Sequence, residues 1–195
     1  MHVPVAIIGC GPSGLLLSHL LHVQGIDSII LERKDRAYVE GRIRAGVLEM
    51  GTVGLMERVG VDARMKREGI IHGGIYISVN GKRQHVNIEE LTGGSTVMIY
   101  GQTEVTKDLI QARLDHGGEI VFEAEDVSLH DIETSKPRVR YVKDGNPVEL
   151  SCDYIAACDG FHGVGRQTMP QSKLKTYEKV YPFGWLGVLE KAKPV

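Results

Sequence analysis

The sequence predicts an α/β fold built on a Rossmann-like sheet that begins with a βαβ unit. Residues 3–8 form a short, almost wholly apolar run, as expected of a strand that is covered on both faces. A glycine-rich turn follows, and residues 15–23 carry leucines at helical spacing before Gly25, a residue type that commonly ends a helix. Residues 28–32 are a second apolar strand, so these elements predict the right-handed opening of a doubly wound sheet.

The middle of the chain predicts an antiparallel excursion from this sheet. Residues 45–59 have the pattern of a helix. Residues 74–79 and 82–88 then have the composition of two strands, and Asn80-Gly81 between them is the strongest short hairpin signal. A strand over residues 96–100 returns the chain to the core.

The last part of the chain predicts one more helix, a small β-meander and two further apolar strands. The helix covers residues 103–116, and Thr103 is placed to cap it. The meander and the next strand are expected at residues 119–123, 126–131, 139–142 and 154–157. Residues 182–189 are apolar and aromatic, and we expect them to start a second sheet.

The composition excludes several classes of protein. The net charge is −2 with both signs dispersed, which gives no general affinity for nucleic acid or for acidic membranes. The three cysteines are an odd number, which argues against a disulfide framework and for a reducing compartment. His19 and His22 lie one helical turn apart with no further ligand cluster, so we expect two helix-surface residues and no metal site. Without a signal peptide or a membrane-length apolar run, the expectation is a cytoplasmic protein.

The segment from Gly9 to Gly14 fits the pattern G-x-G-x-x-G in the required context, between a strand and a helix. Gly9 allows the tight turn, Gly11 lets the backbone approach a pyrophosphate, and Gly14 lets the helix pack closely on the strand. Glu32 ends the second strand, about 20 residues on, where an acidic side chain binds a ribose hydroxyl. The sequence therefore predicts a dinucleotide site, with Glu32 favouring NAD or FAD over a 2′-phosphate at that position.

Two further features near this site have alternative interpretations. Arg33, Lys34 and Arg36 follow Glu32 at once, and they are either a solvated basic loop or a docking place for a second nucleotide that carries a phosphate. Cys10 lies inside the glycine loop, where we expect a small buried filler rather than a redox-active residue.

Further segments resemble the flavoprotein aromatic hydroxylases, in particular members that act on 4-hydroxybenzoate. The resemblance runs through essentially the whole chain. It rests on the glycine loop with Glu32 and on four segments: residues 41–49 (GRIRAGVLE), 100–105 (YGQTEV), 158–163 (CDGFHG) and 181–187 (YPFGWLG). The glycine loop is shared by many dinucleotide-binding proteins, residues 158–163 are typical of flavin hydroxylases, and the other three segments are narrower.

The resemblance implies roles for individual residues. The residues expected to hold FAD are Gly9, Gly11, Ser13 and Gly14 at the pyrophosphate, Glu32 at the adenosine ribose, Arg42, Ile43, Arg44, Ala45, Gly46, Val47 and Gln102 along the extended chain, and Asp159 and Gly160. Arg44, expected at a helix start, would add cationic hydrogen bonds to phosphate. The residues expected on the NADPH side are Arg33, Lys34, Tyr38, Arg44, His162 and Arg166. His72 is expected in a proton relay that ionises the phenol.

The same resemblance implies an activity and a domain plan. NADPH reduces the flavin, O₂ converts it to a C4a-hydroperoxide, and a small aromatic acid is hydroxylated ortho to its ionised phenol. Residues 1–72 and 99–175 would form the FAD-binding domain, and residues 73–98 and 176–195 would belong to a substrate domain. The family chain continues beyond Val195 with its substrate-holding residues, so we expect no hydroxylation by these 195 residues alone, and a homodimer for the longer form. The alternatives are a non-catalytic flavin-binding module and an NAD-dependent dehydrogenase.

Overall fold

The computed structural model describes residues 1–184, 186 and 187. Within them the strands are β1 (His2–Ile8), β2 (Ser28–Leu31), β3 (Val47–Glu49), β4 (Ile70–His72), β5 (Gly74–Val79), β6 (Lys82–Asn87), β7 (Val97–Ile99), β8 (Glu119–Val121), β9 (Glu125–His130), β10 (Arg138–Lys143) and β11 (Asn146–Ala157). The helices are α1 (Pro12–His22), α2 (Arg36–Gly41), α3 (Met50–Arg58), α4 (Ala63–Glu68), α5 (Ile88–Thr92), α6 (Gln102–Asp115) and α7 (Val164–Thr168), followed by a 3₁₀ turn at Gln171–Lys173.

A six-stranded sheet forms the centre of the molecule, in the order β8-β2-β1-β11-β10-β9. The four strands β8, β2, β1 and β11 run parallel, whereas β10 and β9 are antiparallel additions on the β11 side. Strand β1 is central and apolar because both of its faces are covered, with Ala6 and Ile7 fully buried. The predicted α/β class and its Rossmann-like opening are therefore confirmed.

Two apolar layers cover the two faces of this sheet. One set of β1 side chains, which includes Ile7, packs with α1, α3, α4 and α6 in a layer that also contains Leu15, Met56 and Leu109. The alternate set of β1, which includes Ala6, packs with β2, β10 and β11 on the opposite face. This division follows from the strand period of two, which sends successive side chains to opposite faces.

Two smaller sheets lie in the middle of the chain. The hairpin β5–β6 turns at Asn80 and Gly81, which both adopt positive φ, as a two-residue turn of this type requires. The predicted hairpin is thus confirmed. A separate three-stranded antiparallel sheet has the order β3-β7-β4 and joins this region to α6.

The prediction of one helix over residues 45–59 was wrong at its start. Val47–Glu49 form β3 and pair with Val97–Ile99, so cross-strand pairing overrides the helical pattern until Met50, where α3 begins. Arg44 consequently lies in an irregular segment ahead of a strand, and its expected place at a helix start was also wrong.

The predictions for the later elements were also wrong in part. Strand β8 pairs in parallel with β2 at the sheet edge, so the expected meander consists of β9, β10 and β11 without it. Helix α6 is capped by Gly101 and begins at Gln102, so Thr103 does not cap it. The strand expected over residues 182–189 is not formed in the described part of that range, where Leu186 is 89% exposed; residues 185, 188 and 189 lie outside the described residues.

Five short elements have no counterpart in the sequence prediction: β4, α2, α4, α5 and α7. Helix α2 lies in the basic stretch after Glu32, and Asp35 caps it by accepting a hydrogen bond from the Tyr38 backbone N–H at 2.7 Å. None of the helices in the described part of the chain has the length and apolarity needed to cross a membrane.

Candidate cofactor-binding cleft

A cleft of about 910 Å³ lies at the carboxyl ends of the parallel strands. The strand ends β1, β2 and β11 meet there, since parallel strands present their carboxyl ends at the same edge of a sheet. Predicted residues that line the cleft are Gly9, Gly11, Ser13, Glu32, Arg33, Lys34, Tyr38, Arg42, Arg44, Gln102, Asp159, Gly160 and His162. The fold thus brings together residues from four separate parts of the sequence.

The three glycines of the first turn are required for different physical reasons. A Cβ at Gly9, whose φ is +103°, would lie 2.7 Å from the Cys158 carbonyl oxygen. A Cβ at Gly14 would lie 2.1 Å from the Gly9 carbonyl oxygen, which is a backbone atom and cannot rotate away. At Gly11, by contrast, no protein atom lies within 4 Å of the Cβ position. Gly9 and Gly14 are therefore fixed by packing, whereas Gly11 leaves open space that faces the cleft.

The N-terminus of α1 points into this open space. Gly11 is its N-cap and offers no side-chain capping bond, and the first turn contains no acidic residue. The first backbone N–H groups of the helix and the positive end of its dipole are therefore available to an anion. Ser13 is exposed beside them. The helix terminus has the chemistry of a pyrophosphate site.

Glu32 follows β2 and braces the glycine loop. Its Oε2 accepts a hydrogen bond from the Cys10 backbone N–H at 3.0 Å, and its Oε1 accepts one from the Lys34 backbone N–H at 2.9 Å. Each carboxylate oxygen has two lone pairs, so each keeps one that can accept a ribose hydroxyl.

Cys10 is fully buried beneath the loop, and burial, with the Glu32 charge as the next cause, raises the pKa of its thiol to about 12. The thiol is therefore protonated at neutral pH, which agrees with the expected filler role.

Several basic side chains line the outer part of the cleft. Arg36 is engaged, since it bonds to Glu40 at 2.6 Å and to Gln111 at 3.0 Å. Among the described residues, none forms an ion pair with Arg33, Arg42 or Arg44. Unpaired guanidinium groups beside an open helix N-terminus are suited to phosphate, which they bind with paired N–H donors.

The segment 42–47 forms a second wall and is tied to the start of α6. The Tyr100 backbone N–H donates to the Gly46 carbonyl at 2.8 Å, and the Gln102 backbone N–H donates to the Ala45 carbonyl at 3.1 Å. Arg42, Arg44 and Gln102 line the cleft in this arrangement. Five predicted residues of this wall and of the glycine loop do not line the cleft. Gly14, Ala45 and Gly46 serve packing and backbone bonding, and Val47 belongs to β3. Ile43 also lies outside the lining and is 76% exposed.

The Asp159-Gly160 segment closes the cleft on the β11 side. Asp159 Oδ2 accepts a hydrogen bond from the Gly165 backbone N–H at 3.0 Å, and a Cβ at Gly163 would overlap the same carboxylate. Asp159 thus fixes the start of α7. His162 is exposed and lines the cleft, whereas Arg166 lies 3.7 Å over the Phe161 ring and donates to Thr176, so it does not line the cleft.

His72 does not line the cleft. It is half-buried on β4, where it pairs with Val97 of β7. The cleft lining also includes four polar residues that the sequence reasoning missed: Thr106, Glu125, Asp126 and Gln167. Thr106 follows Gln102 by one helical turn, so helical spacing signals it. The other three reach the cleft through tertiary packing, which leaves no local signal.

The prediction that His19 and His22 are both helix-surface residues was wrong for His19. His19 is buried where α1 packs on α6, and its Nε2 lies 2.9 Å from the Leu109 carbonyl oxygen. Burial lowers the pKa of this imidazole. The described residues contain no group of three or more His, Cys, Asp or Glu side chains that could hold a metal ion.

Comparison with known proteins identifies the ligand that this cleft suits. The family described as "FAD binding domain" matches residues 2–195. The chain belongs to the FAD binding domain family. FAD fits the observed features, since its pyrophosphate suits the open α1 terminus and its ribose suits Glu32.

Individual relatives of this FAD binding domain agree with the family. The chain is 50% identical over 195 residues to p-hydroxybenzoate hydroxylase of Acinetobacter baylyi, a match that covers 100% of this chain and 48% of that protein. It is 28% identical over 177 residues to a probable NADH-specific resorcinol 4-hydroxylase of Rhodococcus jostii, covering 85% of this chain and 32% of the relative. The resemblance to flavoprotein aromatic hydroxylases is therefore confirmed. The chain spans about half, or less, of the length of these relatives.

A solved structure shows the same fold. A probable FAD-dependent monooxygenase of Pseudomonas aeruginosa superposes with a TM-score of 0.71 at 19% identity. This match covers 93% of the present chain and 48% of that one.

Proposed function

We propose that this chain is the FAD-binding part of an NADPH-dependent flavin monooxygenase that hydroxylates 4-hydroxybenzoate to 3,4-dihydroxybenzoate. The observation that supports this most strongly is the 50% identity, over the whole chain, to a p-hydroxybenzoate hydroxylase. The substrate and product come from that likeness, and the cofactor site comes from the geometry of the cleft.

In this proposal the chain binds and orients FAD with the residues that line the cleft. The N–H groups at the start of α1, next to Gly11 and Ser13, hold the pyrophosphate, and Glu32 holds the adenosine ribose. Arg42, Arg44 and Gln102 lie along the wall where the cofactor extends, with Asp159 and Gly160 opposite them. Bound FAD supplies the redox chemistry that activates O₂ for ring hydroxylation.

The basic side of the cleft is the proposed NADPH side. Arg33 and Lys34 offer positive charge for the 2′-phosphate, and the Lys34 Nζ lies 5.4 Å from the Tyr38 ring centroid, which keeps this charge near the cleft. His162 is available from the opposite wall. Arg166 would also bind NADPH, but its side chain must first leave Phe161 and Thr176 to reach a ligand in the cleft.

The remaining proposals concern parts away from the cleft. His72 would act in a proton relay toward the phenol of a small aromatic acid. Residues 1–72 and 99–175 would form the FAD-binding domain, with residues 73–98 and 176–195 in a substrate domain and with a homodimer as the assembly. We expect no coupled hydroxylation by the 195-residue chain alone, since it spans 48% of its half-identical relative.

The test is an absorbance spectrum of the purified chain after incubation with FAD and desalting. A retained flavin spectrum, followed by anaerobic bleaching that is faster with NADPH than with NADH, is the expected result. Retained flavin that neither nucleotide reduces, even with 4-hydroxybenzoate present, favours a non-catalytic flavin-binding module. A folded, colourless protein that binds NADH contradicts the proposal and favours an NAD-dependent dehydrogenase.

A further inference from the structure

Tyr100 lies behind the wall of the cleft. It follows β7 directly, its side chain is buried, and its hydroxyl donates a hydrogen bond to Asp108 Oδ2 at 2.5 Å. Burial is the main cause, and this hydrogen bond the second, of the raised pKa of the Tyr100 phenol. The phenol is therefore protonated at neutral pH and can donate this hydrogen bond to Asp108.

Asp108 is itself held by a residue of α4. Arg64 Nη1 donates to Asp108 Oδ1 at 3.2 Å, and the same guanidinium pairs with Glu104 and, through Nε at 2.9 Å, with Glu68. Glu104 and Asp108 lie one turn apart on α6. One guanidinium thus joins α4 to two carboxylates on one face of α6, in a network rather than as an isolated surface pair.

The opposite face of the same helix turns toward the cleft. Gln102 and Thr106 both line the cleft. Glu104 and Asp108 each come two residues after one of them, which turns the side-chain direction by about 200° around the helix axis. The face with Glu104 and Asp108 therefore points away from the cleft when the face with Gln102 points into it. Holding the outer face fixes the rotation of α6 and with it the position of Gln102.

The backbone around Tyr100 extends this control to the other wall. The N–H groups of Tyr100 and Gln102 donate to the Gly46 and Ala45 carbonyls. Gly46 also lies against Gly101, since a Cβ there would be 3.4 Å from the Gly101 Cα. A displacement of Tyr100 therefore moves Gln102 and the segment that carries Arg44 together.

The geometry points to Tyr100, Asp108 and Arg64 as positioning residues for the cofactor, which act on FAD through Gln102 and the segment 44–46. None of the three lines the cleft. This inference rests on the proposed function, because it takes Gln102 as an FAD contact. Because the three residues act on FAD indirectly, the effects of substituting Tyr100 and Gln102 on FAD affinity should not be additive. Two independent direct contacts with FAD would give additive effects.

The test is a double-mutant cycle on FAD affinity, measured by flavin fluorescence during titration at a temperature well below unfolding. The variants are Tyr100→Phe, Gln102→Ala and the double substitution. We expect Tyr100→Phe to weaken FAD binding about tenfold, equivalent to about 1.4 kcal/mol. In the Gln102→Ala background, the same substitution should weaken it less than about threefold, since its effect passes through the missing side chain. An effect below twofold in the unsubstituted background, or an equal factor in both backgrounds, overturns the inference.

A matched control separates positioning from general loss of stability. Tyr141→Phe removes the same hydroxyl from another buried tyrosine, which lies in the core layer on the other face of the sheet. We expect it to change FAD affinity less than twofold; an effect as large as that of Tyr100→Phe overturns the inference. If Tyr100→Phe does not fold, Arg64→Gln, at a side chain 36% exposed, takes its place in the cycle. No FAD binding by the unsubstituted chain would overturn the proposed function, and this inference with it.

Discussion

Substitution of Gly11 by Ala should separate cofactor binding from folding. No protein atom lies within 4 Å of the added Cβ, and the Gly11 φ of −79° suits alanine. Alanine is a poorer N-cap than glycine, at a cost of about 0.5–1 kcal/mol, and its stiffer unfolded chain offsets about 0.4–1 kcal/mol. The net change in the free energy of unfolding is therefore close to zero, and we expect Tm to shift by less than about 3 °C.

The same methyl group occupies the open space through which a pyrophosphate approaches the α1 N-terminus. We expect FAD affinity to fall at least about tenfold, or about 1.4 kcal/mol, in a fluorescence titration. Gly14→Ala should instead destabilise the fold, because its Cβ would lie 2.1 Å from the Gly9 carbonyl oxygen. Such a backbone clash costs about 3 kcal/mol or more, which lowers Tm by roughly 6–12 °C in a chain of this size.

A third glycine provides the control for these two. Gly54 lies in the exposed part of α3, with no protein atom within 4 Å of its Cβ position, and it is not among the residues that line the cleft. Gly54→Ala should therefore stabilise the helix by about 0.5–1 kcal/mol. FAD affinity should not change. If Gly11→Ala binds FAD within twofold of the unsubstituted chain, the assignment of the pyrophosphate to this loop is refuted.

Three further substitutions test single interactions. Glu32→Gln replaces one of two backbone-bonded carboxylate oxygens by an amide, and should lower the free energy of unfolding by about 1–3 kcal/mol in urea; an unchanged urea midpoint contradicts the bracing role. Burial holds the pKa of His19 below its unfolded value of about 6.5, so its contribution is complete above that pH and is lost as pH falls through the lower folded pKa. His19→Gln should therefore lose less stability between pH 7 and pH 5 than the unsubstituted chain, and equal losses speak against it. Arg33→Ser should weaken binding of 2′,5′-ADP roughly tenfold and that of 5′-AMP less than twofold; equal effects on both exclude a 2′-phosphate contact.

The features that the sequence predicts well are those encoded within a few residues. The βαβ opening depends on apolar runs and on three glycines at fixed spacing, and the structure retains each of them in the expected place. The β5–β6 hairpin depends on Asn80 and Gly81, whose positive φ values are a local property of those residue types. Such elements are predictable because local preference and tertiary structure agree.

The features that the sequence predicts poorly depend on partners that are distant along the chain. The local pattern of Val47–Glu49 predicts a helix, and only their pairing with Val97–Ile99 makes them a strand. The local pattern also predicts that His19 is a surface residue. It is buried because α6 packs against it, and α6 carries the Leu109 carbonyl that its ring nitrogen faces, 90 positions later in the chain. Glu125 and Asp126 line the cleft because β8 pairs with β2 and brings the start of β9 to this edge of the sheet. Long-range pairing leaves no periodic pattern in either partner by itself.

Glu32 illustrates how one residue can be predicted correctly for an incomplete reason. Its spacing from the glycine loop predicts a ribose acceptor, yet both of its oxygens already accept backbone N–H groups, from Cys10 in the loop and from Lys34 beyond the strand. These bonds keep the loop closed over the buried Cys10, and they point the carboxylate at the edge of the cleft before any ligand arrives. A ribose hydroxyl then meets an acceptor that needs no reorganisation, which lowers the entropic cost of binding. An acidic residue at this spacing therefore serves the loop first and the nucleotide second, and its substitution should impair both folding and binding, whereas Gly11→Ala impairs binding alone.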